Sequence, residues 1–143
     1  MKIVDVNVLI YAVNTDAPAH ATIKRWWESA VADTEPVGLA WVVVLAFLRI
    51  ITNPRVMPRP LAVEDAVSLL DEWFSLPGVV AVEPGERHWG ILKELLADLG
   101  AAANLTTDAH LAAIAIENGA RLYSTDNDFS RFRGLRWTNP ALP

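Results

Sequence analysis

Short apolar runs alternate with stretches of helical period along the whole of this chain, and that alternation limits what it can fold into. The first run, Ile3-Val4-Asp5-Val6, reads as a buried strand, and residues 7–13 as a short helix. Pro18 suits the entry to a second helix, on which Ile23, Trp26, Trp27, Ala30 and Val31 keep the helical period. A third helix is expected over residues 39–51, stopped by Asn53-Pro54. A fourth is expected over 63–74, with Val63, Ala66, Val67, Leu70 and Phe74 on one face. Pro77-Gly78 breaks the chain before a strand at 79–82. An amphipathic helix over 84–99 follows, which Gly100 can end in a left-handed cap. The next helix begins at Thr107 or Asp108 and ends at Asn118-Gly119. A strand at 121–124, a helical turn at 128–132 and a short strand at 135–137 complete the pattern.

Strands separated by helices imply a parallel sheet covered on both faces. The expected class is α/β, in three layers, with a central and mainly parallel sheet of about four strands flanked by helices. At 143 residues, without repeat, low-complexity segment or linker, the chain suits one domain spanning 1–143.

Composition narrows the functional classes. Hydrophobic residues make up 52% of the chain, yet its greasiest run, residues 39–48, runs into Arg49. No apolar stretch approaches the ~20 residues that span a bilayer. The N-terminal run carries Asp5 and Asn7 and has no signal-cleavage pattern, so a cytoplasmic location without a membrane partner is expected. The absence of cysteine excludes a disulfide framework and a thiolate metal site. A formal charge of −5 speaks against broad non-specific nucleic-acid binding. The arginines nevertheless group, with Arg49, Arg55 and Arg59 in one set and Arg121, Arg131, Arg133 and Arg136 in another. Each set suits either a solvated surface or the positioning of phosphates. The six tryptophans suit core packing or a protein interface better than base stacking, and His110 suits packing or hydrogen bonding better than general-base work.

Ligands of open α/β sheets sit beyond the carboxyl ends of the strands, and acids fall at those positions here. Asp5 closes the first strand, Asp126 and Asp128 follow the strand at 121–124, and Asp108 stands at a helix start. Several ionised carboxylates brought together raise one another's pKa unless a cation neutralises them. Oxygen ligands and few histidines favour a magnesium-like ion over zinc. Such an ion can activate water and stabilise the leaving oxygen of a phosphodiester. Plainer readings stand beside this one: Asp108 suits a helix cap, and Asp126-Asn127-Asp128 suits a turn. Asp5 is harder to explain away, because an unpaired charge in an apolar run costs several kcal/mol.

Four segments taken in order carry a resemblance to a known family. They are Val-Asp-Val-Asn-Val-Leu-Ile-Tyr-Ala (4–12), Phe-Leu-Arg-Ile-Ile-Thr-Asn-Pro-Arg-Val (47–56), Thr-Asp-Ala-His-Leu-Ala-Ala-Ile-Ala (107–115) and Tyr-Ser-Thr-Asp-Asn-Asp-Phe-Ser-Arg-Phe-Arg-Gly-Leu (123–135). With the final Trp-Thr-Asn-Pro, the chain resembles PIN-domain ribonucleases, in particular the VapC-type toxins of type II toxin–antitoxin pairs and their mycobacterial branch. The resemblance implies a PIN-like fold and a magnesium- or manganese-dependent endoribonuclease that cuts RNA and stops translation. It also implies a VapB-type antitoxin as partner, and a homodimer that forms a heterotetramer or larger assembly with it. Asp5, Asp108 and Asp126 match the family's metal-binding acids, and Asp128 matches a more variable additional catalytic acid. Asn7 and Ser124 match supporting polar residues that bond waters or ligands, with Asn104 and Thr107 as further candidates around the site.

One departure is visible. Many members carry Glu-Phe-Leu-Arg where this chain reads Ala46-Phe47-Leu48-Arg49. Either a subgroup works with the remaining acids, or the chain has been inactivated by substitution, or it binds without cutting. The small and apolar neighbours of Ala46 favour the first. The competing functions are a catalytically weak or inactive module that binds RNA or antitoxin, and another metal-dependent phosphohydrolase. The haloacid-dehalogenase kind needs two aspartates flanking one residue of the first strand and a late lysine. Here the first strand offers Asp5 and Asn7, and no lysine follows Lys93.

Overall fold

The computed structural model describes residues 1–100 and 103–143. Five strands form one sheet: β1 (Lys2–Val4), β2 (Val37–Ala40), β3 (Val79–Val82), β4 (Arg121–Tyr123) and β5 (Arg136–Thr138). The six α-helices among the described residues are α1 (Val6–Val13), α2 (His20–Ala32), α3 (Trp41–Ile51), α4 (Val63–Ser75), α5 (His88–Leu99) and α6 (Thr106–Glu117). Every pairing is parallel and the order is β3-β2-β1-β4-β5, so the helices flank a central sheet as expected. None of the described helices is long and apolar enough to cross a membrane.

The sheet has one strand more than expected. Residues 39 and 40 belong to β2, where Leu39 and Ala40 pair with Ala81 and Val82, and α3 starts only at Trp41. The strand passes into the helix with no loop between them, and all four of its residues are buried. A short continuous apolar run of this kind has no period that separates a buried strand from the first turn of a buried helix. The other elements lie within a few residues of their expected bounds, the latest start being α5 at His88 rather than residue 84.

Packing follows the residue pattern. On α3, Val43, Val44, Phe47 and Ile51 are buried while Trp41, Leu45 and Arg49 are exposed. On α6, Ala109, Ala112, Ala113 and Ala115 are buried beside Leu111 and Ile114, small side chains that let the helix lie close to its neighbours. Contacts run from α1 to α2 and α3, from α3 to α4, and from α5 to α6. Trp27 packs edge-on against Trp73, which also stacks on Phe47, while Trp26 is only partly buried, against Tyr123. The buried Lys2 at the start of the sheet is neutralised by Asp33, 2.8 Å from its Nζ, and by Glu35.

The strand order positions the site. From β1 the chain crosses to β2 on one side and, later, arrives at β4 on the other. A crevice therefore opens beyond the carboxyl ends of β1 and β4, the switch point at which such sheets bind ligands. The close approach of the strands on the other side of β1 depends on Gly38. A Cβ there would lie 2.6 Å from a methyl of Val82 and 3.3 Å from Ile3. Gly38→Ala is expected to lower stability by about 1–2 kcal/mol through overpacking. The loss would appear as a lower urea midpoint at unchanged m-value, and an unchanged or higher midpoint would show that the strands yield freely.

Candidate active site

Asp5 follows β1 directly and caps α1, and its side chain is buried at 8% exposure. Three donors hold the carboxylate. Val6 N–H donates to Oδ1 at 2.7 Å, while Asn7 Nδ2 and the Ser124 hydroxyl donate to Oδ2 at 2.8 and 2.7 Å. Oδ1 thus accepts one bond and keeps a second lone pair. Asn7 reaches further: its Nδ2 lies 3.0 Å from Ser124 Oγ, and its Oδ1 accepts from the Thr125 N–H at 3.1 Å. Ser124 Oγ in turn accepts from the Asp126 N–H at 3.0 Å. Asn7 and Ser124 therefore bond the Asp5 carboxylate and the backbone N–H groups of Thr125 and Asp126.

Two further carboxylates come from the turn that this network holds. Asp126 caps a 3₁₀ turn (Asn127–Arg131), its Oδ1 accepting from the Asp128 N–H at 2.9 Å. The turn chemistry expected for Asp126-Asn127-Asp128 is thus present, and it brings two acids to the same edge. Asp108 arrives from the first turn of α6 and makes no capping bond. Oxygens of Asp108, Asp126 and Asp128 all lie within 4.8 Å of one another. This grouping includes Asp128 and leaves Asp5 deeper; Asp108 joins the two, because it also lines, with Asp5, the cleft beside the grouping.

The electrostatics follow from this crowding. Burial, and then the charges of Asp5, Asp126 and Asp128, push the Asp108 carboxyl up to about 6. Burial likewise raises Asp5, opposed by the Ser124 and Val6 hydrogen bonds and assisted by the charge of Asp126. One exposed cation touches the group, Arg131, 3.7 Å from Asp128. Carboxylate oxygens are the only donors in the grouping, and the histidines are occupied elsewhere. His88 Nε2 and His110 Nδ1 are 2.9 Å apart, and His20 Nδ1 meets the Tyr11 carbonyl. Such a donor set fits a hard divalent cation.

The cleft itself, about 290 Å³, lies between α3 and α6, with Asp5, Val43, Ala46, Arg49, Thr107 and Asp108 in its walls. Ala46 thus stands at the cleft, and the α3 wall has no carboxylate. The arginine groups read from the sequence separate. Arg121 and Arg136 begin β4 and β5; Arg136 bonds the Gly119 carbonyl there, while the Arg121 side chain runs along the sheet to Thr138. Arg59 pairs with Asp16, and Asn104 is exposed. One participant had no sequence signal. Trp137, read as packing, donates its indole N–H to the Ser124 carbonyl at 3.0 Å and so holds the strand end from behind.

Comparison with known proteins agrees with this architecture. The PIN domain family profile matches residues 2–135. Ribonuclease VapC37 of Mycobacterium tuberculosis is 47% identical over 140 residues, 98% of this chain and 97% of the relative. Ribonuclease VapC33 of the same species is 44% identical, covering 98% of each. Among solved structures, VapBC2 from Rickettsia felis, bound to a DNA fragment from its promoter, superposes with a TM-score of 0.71 at 18% identity, covering 96% of this chain and 97% of that one. The M. tuberculosis toxin VapC20, described as cleaving the sarcin-ricin loop, gives 0.69 at 20% identity, covering 95% of this chain and 99% of that one. These two structures share the fold, whereas the sequence relatives match across nearly the full length. This chain belongs to the PIN-domain family.

Proposed function

We propose that the protein is the toxin of a type II toxin–antitoxin pair, an endoribonuclease that hydrolyses RNA phosphodiester bonds with a divalent cation and so blocks translation. The observation that carries this reading is the convergence of Asp108, Asp126 and Asp128 beside the buried Asp5 at the switch point of the sheet. Its partners are an RNA substrate, a VapB-type antitoxin, and a second copy of the chain in the assembly with that antitoxin. The place of action is the cytoplasm. The relatives' names, Ribonuclease VapC37 and VapC33, support the same reading.

Asp108, Asp126 and Asp128 would hold Mg²⁺ or Mn²⁺, with Asp5 contributing its remaining lone pair from below. When bound, such an ion activates water and stabilises the leaving oxygen of an in-line displacement. The chain's own residues orient the acids. Asn7 and Ser124 fix the Asp5 carboxylate and the 124–126 backbone in one rigid arrangement, so Asp126 arrives already aimed. The α3 wall, apolar at Val43 and Ala46, limits the water around the reacting phosphate.

The test is cleavage of a panel of structured RNAs with and without Mn²⁺. Asp5→Asn is expected to reduce the rate by at least about 100-fold, consistent with loss of preorganised charge at a reacting centre. Its circular dichroism spectrum should stay that of the parent. An Asp5→Asn protein that cut at the parent rate would exclude the aspartate mechanism.

A second expectation concerns pH. The folded-state pKa of Asp108, about 6, lies above its ordinary value of 3.8, so the folded chain holds this proton more tightly than the unfolded chain. The metal-free protein therefore loses stability as pH rises from about 4 through 6. Asp108→Asn removes that loss. After allowance for the part-exposure of the group, it should stabilise the metal-free protein by about 1 kcal/mol at pH 7 and by close to nothing at pH 4. Urea unfolding at the two pH values measures this, and an equal effect at both would show that burial and the neighbouring charges do not raise the Asp108 pKa.

A further inference from the structure

We propose that Arg49 grips the scissile phosphate of the RNA in the cleft between α3 and α6, a contact left open to it because position 46 is alanine. This assignment rests on the ribonuclease reading and adds the group that holds the substrate's charge.

Arg49 lines the cleft together with Asp5, Ala46, Thr107 and Asp108. It is the only charged residue of α3, a helix otherwise built from Trp41, Val42, Val43, Val44, Leu45 and their apolar successors. Arg49 is exposed and makes no hydrogen bond or ion pair with any described residue. Arg59, Arg87, Arg121, Arg131 and Arg136 are engaged, by Asp16, Glu117, Thr138, Asp128 and Gly119. The side chains of Arg25, Arg55 and Arg133 are unpaired among the described residues too, but none of them lines this cleft. An unpaired guanidinium beside a cleft that carries Asp5 and Asp108 needs an explanation.

Position 46 supplies it. Residues three apart on a helix are neighbours on its surface, and a glutamate at 46 would give Arg49 an ion-pair partner on its own helix. Alanine gives none, so the guanidinium stays free for an anion that enters from solvent. Its planar fork suits the paired oxygens of a phosphodiester. The two walls then divide the work. The α6 side and the 126–128 turn would supply carboxylates for a cation, and the α3 side an unpaired positive charge. As the phosphorus gains a fifth oxygen, its equatorial oxygens gain negative charge. A guanidinium that has closed on those oxygens bonds them more strongly in the transition state than in the ground state.

The test uses the full-length chain and bulk bacterial transfer RNA as probe. In an Asp108→Asn background, which suppresses cutting, Arg49→Gln is expected to weaken RNA binding about 10-fold. It should also lower the slope of log Kd against log salt by about one, the signature of one lost phosphate contact. Arg49→Lys should keep the slope, because the charge remains. In the parent background, single-turnover cleavage should fall about 10-fold for Arg49→Lys, which lacks the fork, and about 100-fold for Arg49→Gln. Mn²⁺ affinity, read by calorimetry without RNA, should hold or tighten when the positive charge is removed, and the melting temperature should not change. Ala46→Glu should weaken RNA binding while Arg49 is still present, by pairing with it.

An unchanged salt slope in Arg49→Gln overturns the assignment. So does weaker Mn²⁺ binding or a lowered melting temperature, either of which would make Arg49 a part of the scaffold. Failure of the parent to cut any RNA sinks the ribonuclease reading alone, because the binding measurements still decide on Arg49.

Discussion

The carboxylate of Asp5 is the joint between the two strands that define the cleft. Parallel strands diverge beyond their carboxyl ends at a switch point, and something must hold the two chain segments in a fixed relation there. Here the Asp5 N–H bonds the Tyr123 carbonyl at 2.9 Å, and the Asp5 side chain takes the Ser124 hydroxyl. Asn7 ties both to Thr125. The bonds close a polar loop around a charge that burial alone would make expensive. Because every donor belongs to residues 6–7 or to residue 124, the position of Asp126 follows from that of Asp5. The same bonds that make burial tolerable set the geometry of the half-buried Asp126 and its turn.

The clustered acids pull against the fold. Burial, and then the charges of Asp5, Asp126 and Asp128, raise the Asp108 pKa to about 6, so part of that shift is a repulsion that a divalent cation would relieve. The elements bearing the acids are anchored separately. The base of α6 is a run of buried alanines with Leu111 and Ile114, and the 126–128 turn hangs from the Ser124 network and Trp137. Repulsion acts on side chains whose backbones cannot retreat, which is how a site can stay preorganised without its ion.

Much of this was legible in the sequence because it depends on local pattern. Asp5 stood out as a charge in an apolar run, and the acids after β4 and at the start of α6 stood out by position. The second strand was hidden. Residues 37–40 are buried on both faces and join α3 without a break, so neither a period nor a turn residue marks the change. The supporting role of Asn7 and Ser124 was visible only as a residue type. Their partners are separated by 117 to 119 positions, a distance that no local pattern spans. For the same reason Asp128 read as an accessory, although the turn capped by Asp126 carries it into the grouping with Asp108. The arginine groups read as two sets because they are adjacent in sequence, but the alternation of strands and loops sends Arg121 and Arg136 to the opposite end of the sheet.

An acidic chain that acts on a polyanion has to solve a problem of range. At −5 overall, the protein's distant field repels RNA, and salt screens that field beyond about 8 Å at physiological ionic strength. Attraction would therefore come from charges at the cleft itself: on the proposed reading, a cation held by the carboxylates and a guanidinium on the facing helix. A site of this kind gains little from non-specific sliding along the backbone, since few phosphates find a positive partner.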